Sequence, residues 1–540
     1  MKEAGRTIMS TRKRLSAMFA VMTLALLGVI CVITLPPSAL TQQDKLGKVT
    51  FPTSCDPSVQ QHFERGVAML HSYWFIQARK TFEAVLLQDR NCAMAYWGIA
   101  VTLLGNTLVG PPPPKNLQMA WEAIGKAQAI RAKTPRERDW IDALSAYYRD
   151  HNKVPVDARL LAYTKAMEQV TQRYPDDFEA WVFYALTLQA SAPKADKTYA
   201  NQLKSAAILE RLLQQDPEHP GVAHFLIHAY DYPPLAEKGL PAARRYTGLA
   251  PAAPHARHMP SHIYSMVGLW EDSIASNRFA LEIKPDYYHA SDFMVYAHLQ
   301  LAQDAKAKVM MEQAARTADT GTRNVGIAAS NALAAMPARY ALERADWSGA
   351  AALPITSTRF PMADSLTRFA RGLGMARSGD LAGAKREVEA MQELRTALEQ
   401  SNQSYWADRT EEQRLAVFAW VAHAEGAQEQ AVKLMRAAAD GEDGSVKHVA
   451  MENRLYPMRE LLGELLLQMG QEAPALREFE VSLKETPNRY RGLYGAARGA
   501  EAAGDRQKAR GYFEKLVALA QNADTPRPEI ALATAFLGQP

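Results

Sequence analysis

A spacing rule recurs along this chain: a glycine, a small residue five positions later and an aromatic four beyond that. It is complete at Gly470, Ala475 and Phe479, and again at Gly504, Ala509 and Phe513, 34 residues on. The glycine-to-small step recurs at Gly268 and Ser273, Gly379 and Ala384, and Gly426 and Ala431. The small-to-aromatic step recurs at Ala78 and Phe82. Glycine ends a helix by adopting the left-handed conformation. A small residue lets two helices approach. An aromatic four residues on lies on the same helix face and reaches the next pair. Prolines at 175, 217, 285 and 487 stop helices, because a ring nitrogen donates no hydrogen bond. Thr134 and Glu137 have the spacing of a capping box. The rule demands tandem helical hairpins, none able to bury its apolar face without a neighbour.

These motifs resemble the tetratricopeptide repeat (TPR) family over roughly 56–525, strongly at 254–320 and 365–523 and more loosely at 93–250. The stretches CAMAYWGIA, HMPSHIY and GLYGAARGAEAAGD also resemble a group of exported bacterial TPR proteins with no settled activity. The resemblance implies an all-α solenoid, a right-handed superhelix of hairpins. It also implies a concave groove, lined by first helices, that takes protein or peptide partners. The expected organisation is a TPR-like divergent part at 56–250, TPR-like hairpins at 251–525 and a C-terminal cap at 526–540.

The N-terminus adds a different element. Residues 15–35 contain no Asp, Glu, Lys, Arg or His and are long enough to span a bilayer. Lys2, Arg6, Arg12, Lys13 and Arg14 against Glu3 account for the whole net charge of +4. The positive-inside rule then predicts a basic cytoplasmic segment at 1–14, a signal-anchor at 15–35, a linker at 36–55 and an exported remainder. The expected location is the inner membrane facing the periplasm, or the periplasm if the segment is cleaved. The near-neutral remainder gives no phosphate-tracking surface, so nucleic acid is not an expected partner. An oxidising compartment permits a bridge between Cys55 and Cys92, which flank the first hairpin; two buried free thiols are the alternative.

Histidines crowd the middle of the chain. HFLIHAYD places His224, His228 and Asp231 on one helix face, and HARHMPSH adds His258 and His262 close behind His255. Neutral imidazoles with a carboxylate suit a zinc or copper ion, so these five residues are the candidate metal ligands. His71, His289, Asp292 and His298 are candidate groove residues, where histidine contacts an acidic partner or senses pH. Local hydrogen bonding inside a packed core is the third reading of each histidine. HFLIH lacks the glutamate of the H-E-x-x-H metalloprotease motif, and no G-x-S-x-G, Walker A or G-x-G-x-x-G stretch occurs. No catalytic residue is therefore assigned. The sequence favours an exported partner-binding scaffold, with a metal-dependent enzyme or metal-handling protein as the alternative.

Overall fold

Helix follows helix among the described residues, with no strand between them. The computed structural model describes residues 45–539 except 194, 321–325, 446 and 449–453. Helices Gln60–His71 and Phe75–Gln88 form the first antiparallel pair, and the looser region 93–250 continues the same alternation. The repeat glycines do what their spacing predicts: Gly268, Gly379, Gly426, Gly470 and Gly504 all have φ between +68° and +93°. The same turn position is held without glycine by Tyr73, Ala302 and Ala345, at φ of 51–54°. Five residues after each stands a fully buried small residue, here Ala78, Ala307 and Ala350.

The aromatics set the helix spacing. Phe82 lies between Gly66 on the preceding helix and Gly98 on the following one; a Cβ at either would come within 2.7 Å of its ring. Phe479 lies in the same way between Gly463 and Gly495. In both cases each glycine is 16 residues from the aromatic. The capping box forms as its spacing predicts, with Thr134 and Glu137 bonding each other's backbone N–H.

Part of the expected linker is structural. Phe51 is fully buried among Phe63, Trp97 and Trp140, at centroid distances of 5.0–5.5 Å, so residues 46–55 belong to the first hairpins. Cys55 and Cys92 are joined in a disulfide, with Cα atoms 4.8 Å apart. The expected signal-anchor, 15–35, lies outside the described residues. No helix among the described residues is long and apolar enough to cross a membrane.

Residues from Leu46 onward form one unit. One apolar core runs from Leu46 to Tyr264, across the expected boundary at 250, and another from Ala302 to Phe536. The C-terminal hairpins dock back on the middle of the chain. Trp270 donates its indole N–H to the Asn488 carbonyl (2.8 Å), and Asp524 accepts from the amides of Ala305 and Lys306. Arg489, fully buried, joins Glu343 (2.5 Å) and Glu460 (2.8 Å), each on a different helix. Within 526–540 lies helix Pro528–Leu537, whose Phe536 packs on Phe513.

Candidate metal centre

Four helices supply the site. Helix Pro220–Tyr230 is buried along its whole length and carries His224 and His228 one turn apart. The short helices Pro254–His258 and Pro260–Met266 carry His255, His258 and His262. Pro260 serves as the first residue of the second of these, where its missing N–H costs nothing. Helix Tyr288–Gln300, also buried throughout, carries His289 in its first turn.

Six imidazoles converge in two trios. His224, His228 and His255 present ring nitrogens within 4.8 Å of one another, as do His258, His262 and His289. Within the first trio His224 Nε2 stands 3.0 Å from His255 Nε2. Within the second, His258 Nε2 stands 2.9 Å from His262 Nε2. The trios adjoin: the rings of His255 and His258 are 6.0 Å apart, and those of His228 and His262 6.2 Å.

Outer partners fix the tautomers. Asn277 Nδ2 donates to the Ser273 carbonyl (2.8 Å), so its Oδ1 must accept, and it accepts from His258 Nδ1 (2.6 Å). His262 Nδ1 donates to Asp231 (2.8 Å), whose other oxygen accepts from Lys447 (3.1 Å). Both Nε2 atoms of that pair are then bare lone pairs, facing each other at hydrogen-bond distance with no proton between them. A cation between them, a proton or a metal ion, would relieve that opposition. Burial opposes the proton: it lowers the pKa of His258 to about 4 and that of His262 well below the usual histidine range. Burial pushes Asp231 up, against the pull of the Lys447 ammonium.

In the first trio only the His224 tautomer is fixed, because the Tyr287 hydroxyl beside His255 can donate or accept. His224 Nδ1 can only donate to the His71 carbonyl (2.5 Å), which turns its Nε2 lone pair inward. His255 Nδ1 meets the Tyr287 hydroxyl (2.9 Å). His228 is buried with neither ring nitrogen hydrogen-bonded, and the Tyr73 hydroxyl beside it also lacks a partner.

A third cluster shows the contrast. His219 Nδ1 accepts from the Val222 amide, so its Nε2–H donates to Glu179 (2.9 Å), and His71 Nε2 donates to the other carboxylate oxygen (2.9 Å). Burial works against the Glu179 charge, yet the two imidazoles hold its pKa at about 2. Here the carboxylate takes both Nε2–H groups, and no two lone pairs face each other.

Several expected roles change. Asp231 belongs to neither trio; it orients His262 from outside, as metal-site carboxylates commonly do. His255 and His289, outside the expected ligand set, each complete a trio. None of the four expected groove residues faces an open groove. His71 is tied to Glu179 and His289 is in the second trio. Asp292 pairs with Arg339 (3.3 Å), both buried, and His298 bonds Gln303 (2.8 Å). The reason is common to all: the first helices that carry them are covered by neighbouring hairpins. The signal for His255 was available, since 255, 258 and 262 follow i, i+3, i+7 spacing along one face. Asn277, Tyr287 and Lys447 had no local signal.

The fold and site define an all-helical repeat protein with a buried polyhistidine centre. No protein-family model matches the chain, and no curated protein matches it. Among solved structures, that of Naa15/Naa10 bound to HypK-THB aligns at 11% identity over 88% of this chain and 90% of that one, with a TM-score of 0.25. The APC/C hetero-tetramer Cut9-Hcn1 aligns at 11% identity over 89% of each chain, with a TM-score of 0.31. Likeness at that level says nothing of function.

Proposed function

We propose that this protein is a metal-binding helical-repeat protein whose hairpins hold a transition-metal centre. The observation that carries the reading is the facing Nε2 pair of His258 and His262, whose outer partners direct both N–H groups away from the gap. A cation between them turns two opposed lone pairs into two ligands. Three nitrogen donors per trio leave a coordination position vacant, the arrangement of sites that act on a ligand rather than only brace a fold. Zinc and copper both suit imidazole, and the chemistry is either metal handling or metal-dependent catalysis. Element analysis of the purified protein, with Zn²⁺ and Cu²⁺ titrations of the wild type and of His262→Ala, tests the reading. Stoichiometric metal, weakened by the substitution, is expected. A metal-free protein that titrates with neither ion overturns it.

Docking of protein or peptide partners on the stacked hairpins is the second reading, favoured by the tandem hairpins themselves. A reproducible partner in pull-downs from envelope extract supports it; none counts against it. Export through residues 15–35 is part of the same proposal. Fractionation that finds the chain with the membrane or in the periplasm supports it, and a cytosolic chain contradicts it.

A further inference from the structure

The two trios bear on how many ions the centre holds, and which. This step rests on the metal-binding reading above.

The donor set is unusual in charge. Among the described residues, each trio offers three imidazoles and no carboxylate or thiolate. Asp231 stands outside, already bonded to His262 and paired with Lys447. Hard cations such as Ca²⁺ and Mg²⁺ demand oxygen ligands, and the common non-haem iron site demands a carboxylate. Zinc, copper and nickel, all suited to imidazole, remain. Two divalent ions among neutral ligands would bury four positive charges with no new counter-charge, which is costly. Two Cu(I) ions bury only two, and Cu(I) accepts three-coordination.

The spacing fits one ion per trio. Metal–nitrogen bonds of ~2.0–2.1 Å, at angles from tetrahedral to trigonal, put two ligand nitrogens about 3.3–3.6 Å apart. The two Nε2 pairs stand at 3.0 and 2.9 Å, so each has only to open by several tenths of an ångström. His228, with no hydrogen-bond partner, completes the first trio, and His289 the second. A single ion is not placed to serve all six rings, because among the described residues the imidazole nitrogens that lie within 4.8 Å of one another fall into two sets of three.

We propose that this centre is a copper pair, one ion on His224, His228 and His255 and the other on His258, His262 and His289, with dioxygen as the small ligand it takes between them. In that reaction each Cu(I) gives one electron to dioxygen. The O–O bond would be kept, with dioxygen reduced to peroxide and both coppers oxidised to Cu(II). Two Cu(I) ions carry two positive charges; two Cu(II) ions with peroxide also carry two. The buried site keeps its net charge through the change, so no proton has to enter.

Loading the full chain with Cu(I) under anaerobic conditions, counting copper and then admitting air tests this. The expected result is two coppers per chain. After oxygenation, new near-ultraviolet absorption should appear, with a Cu(II) spin signal far below two per chain because the ions couple. His255→Ala and His289→Ala should each retain one copper, now giving the full spin signal of an isolated ion. One copper per wild-type chain overturns the pair, as does an uncoupled signal from two. Tight binding of two zinc ions with copper excluded overturns the choice of metal. All three leave the metal-binding reading standing, whereas a chain that binds no metal sinks that reading itself. The wild-type count does not depend on either variant folding.

Discussion

At the residue scale the centre depends on which ring nitrogen carries the proton. Asn277 decides this for His258, because its amide is itself oriented by the Ser273 carbonyl. Asn277→Leu removes that acceptor and lets His258 place its N–H in the gap. Loss of an outer partner of this kind typically lowers metal affinity 10–100-fold. A competition titration against a chelator should show that loss while the circular dichroism stays wild-type. A second residue, outside both trios, sets a pH dependence. Burial raises the Glu412 pKa to about 8, despite the neighbouring Arg409. The unfolded chain releases that proton near 4.5, so between about 4.5 and 8 the folded state holds the extra proton. Stability from this group therefore falls as pH rises through that window. Glu412→Gln should flatten the decline in melting temperature between pH 5 and 8.

At the scale of elements, the hairpins were the most legible part of the sequence. Gly470–Ala475–Phe479 states its geometry directly, since backbone conformation, close approach and gap filling each demand one residue type. The hairpins turned by Tyr73, Ala302 and Ala345 were less legible, because the turn there is held by packing instead of by glycine. His224 and His228 could be placed on one face from spacing alone. Their convergence with 255, and that of 258 and 262 with 289, depends on how helices stack, which no local pattern encodes. The same limit hid the burial of His71 and Asp292. The glycine–aromatic–glycine contact predicts a paired experiment. Gly98→Ala drives a methyl into the Phe82 ring and should cost about 1–3 kcal/mol, read as a lower denaturation midpoint. Gly125→Ala, on an exposed helix face with nothing within 4 Å, should instead stabilise by about 0.5–1 kcal/mol.

At the scale of the whole molecule, the chain end returns to the middle. Arg489 is the pin, bridging Glu343 and Glu460 inside the protein. Such a charge set adds little net stability over an apolar substitute, yet breaking it leaves unpaired buried charges. Arg489→Met leaves two carboxylates without their cation and should cost about 3–5 kcal/mol in equilibrium unfolding. Replacing all three residues by apolar side chains of similar size should recover most of that loss. This closure also covers the middle hairpins, through Trp270 and Asn488, next to the segment that carries the histidines. The central claim is that opposed imidazole lone pairs are held in place to receive a metal. The X-ray absorption spectrum of the metal-loaded protein tests it most directly. The account predicts a nitrogen shell at ~2.0–2.1 Å with imidazole outer-shell scattering. A metal found bound through carboxylate oxygen or sulfur, or one whose spectrum is unchanged by His258→Ala, contradicts it.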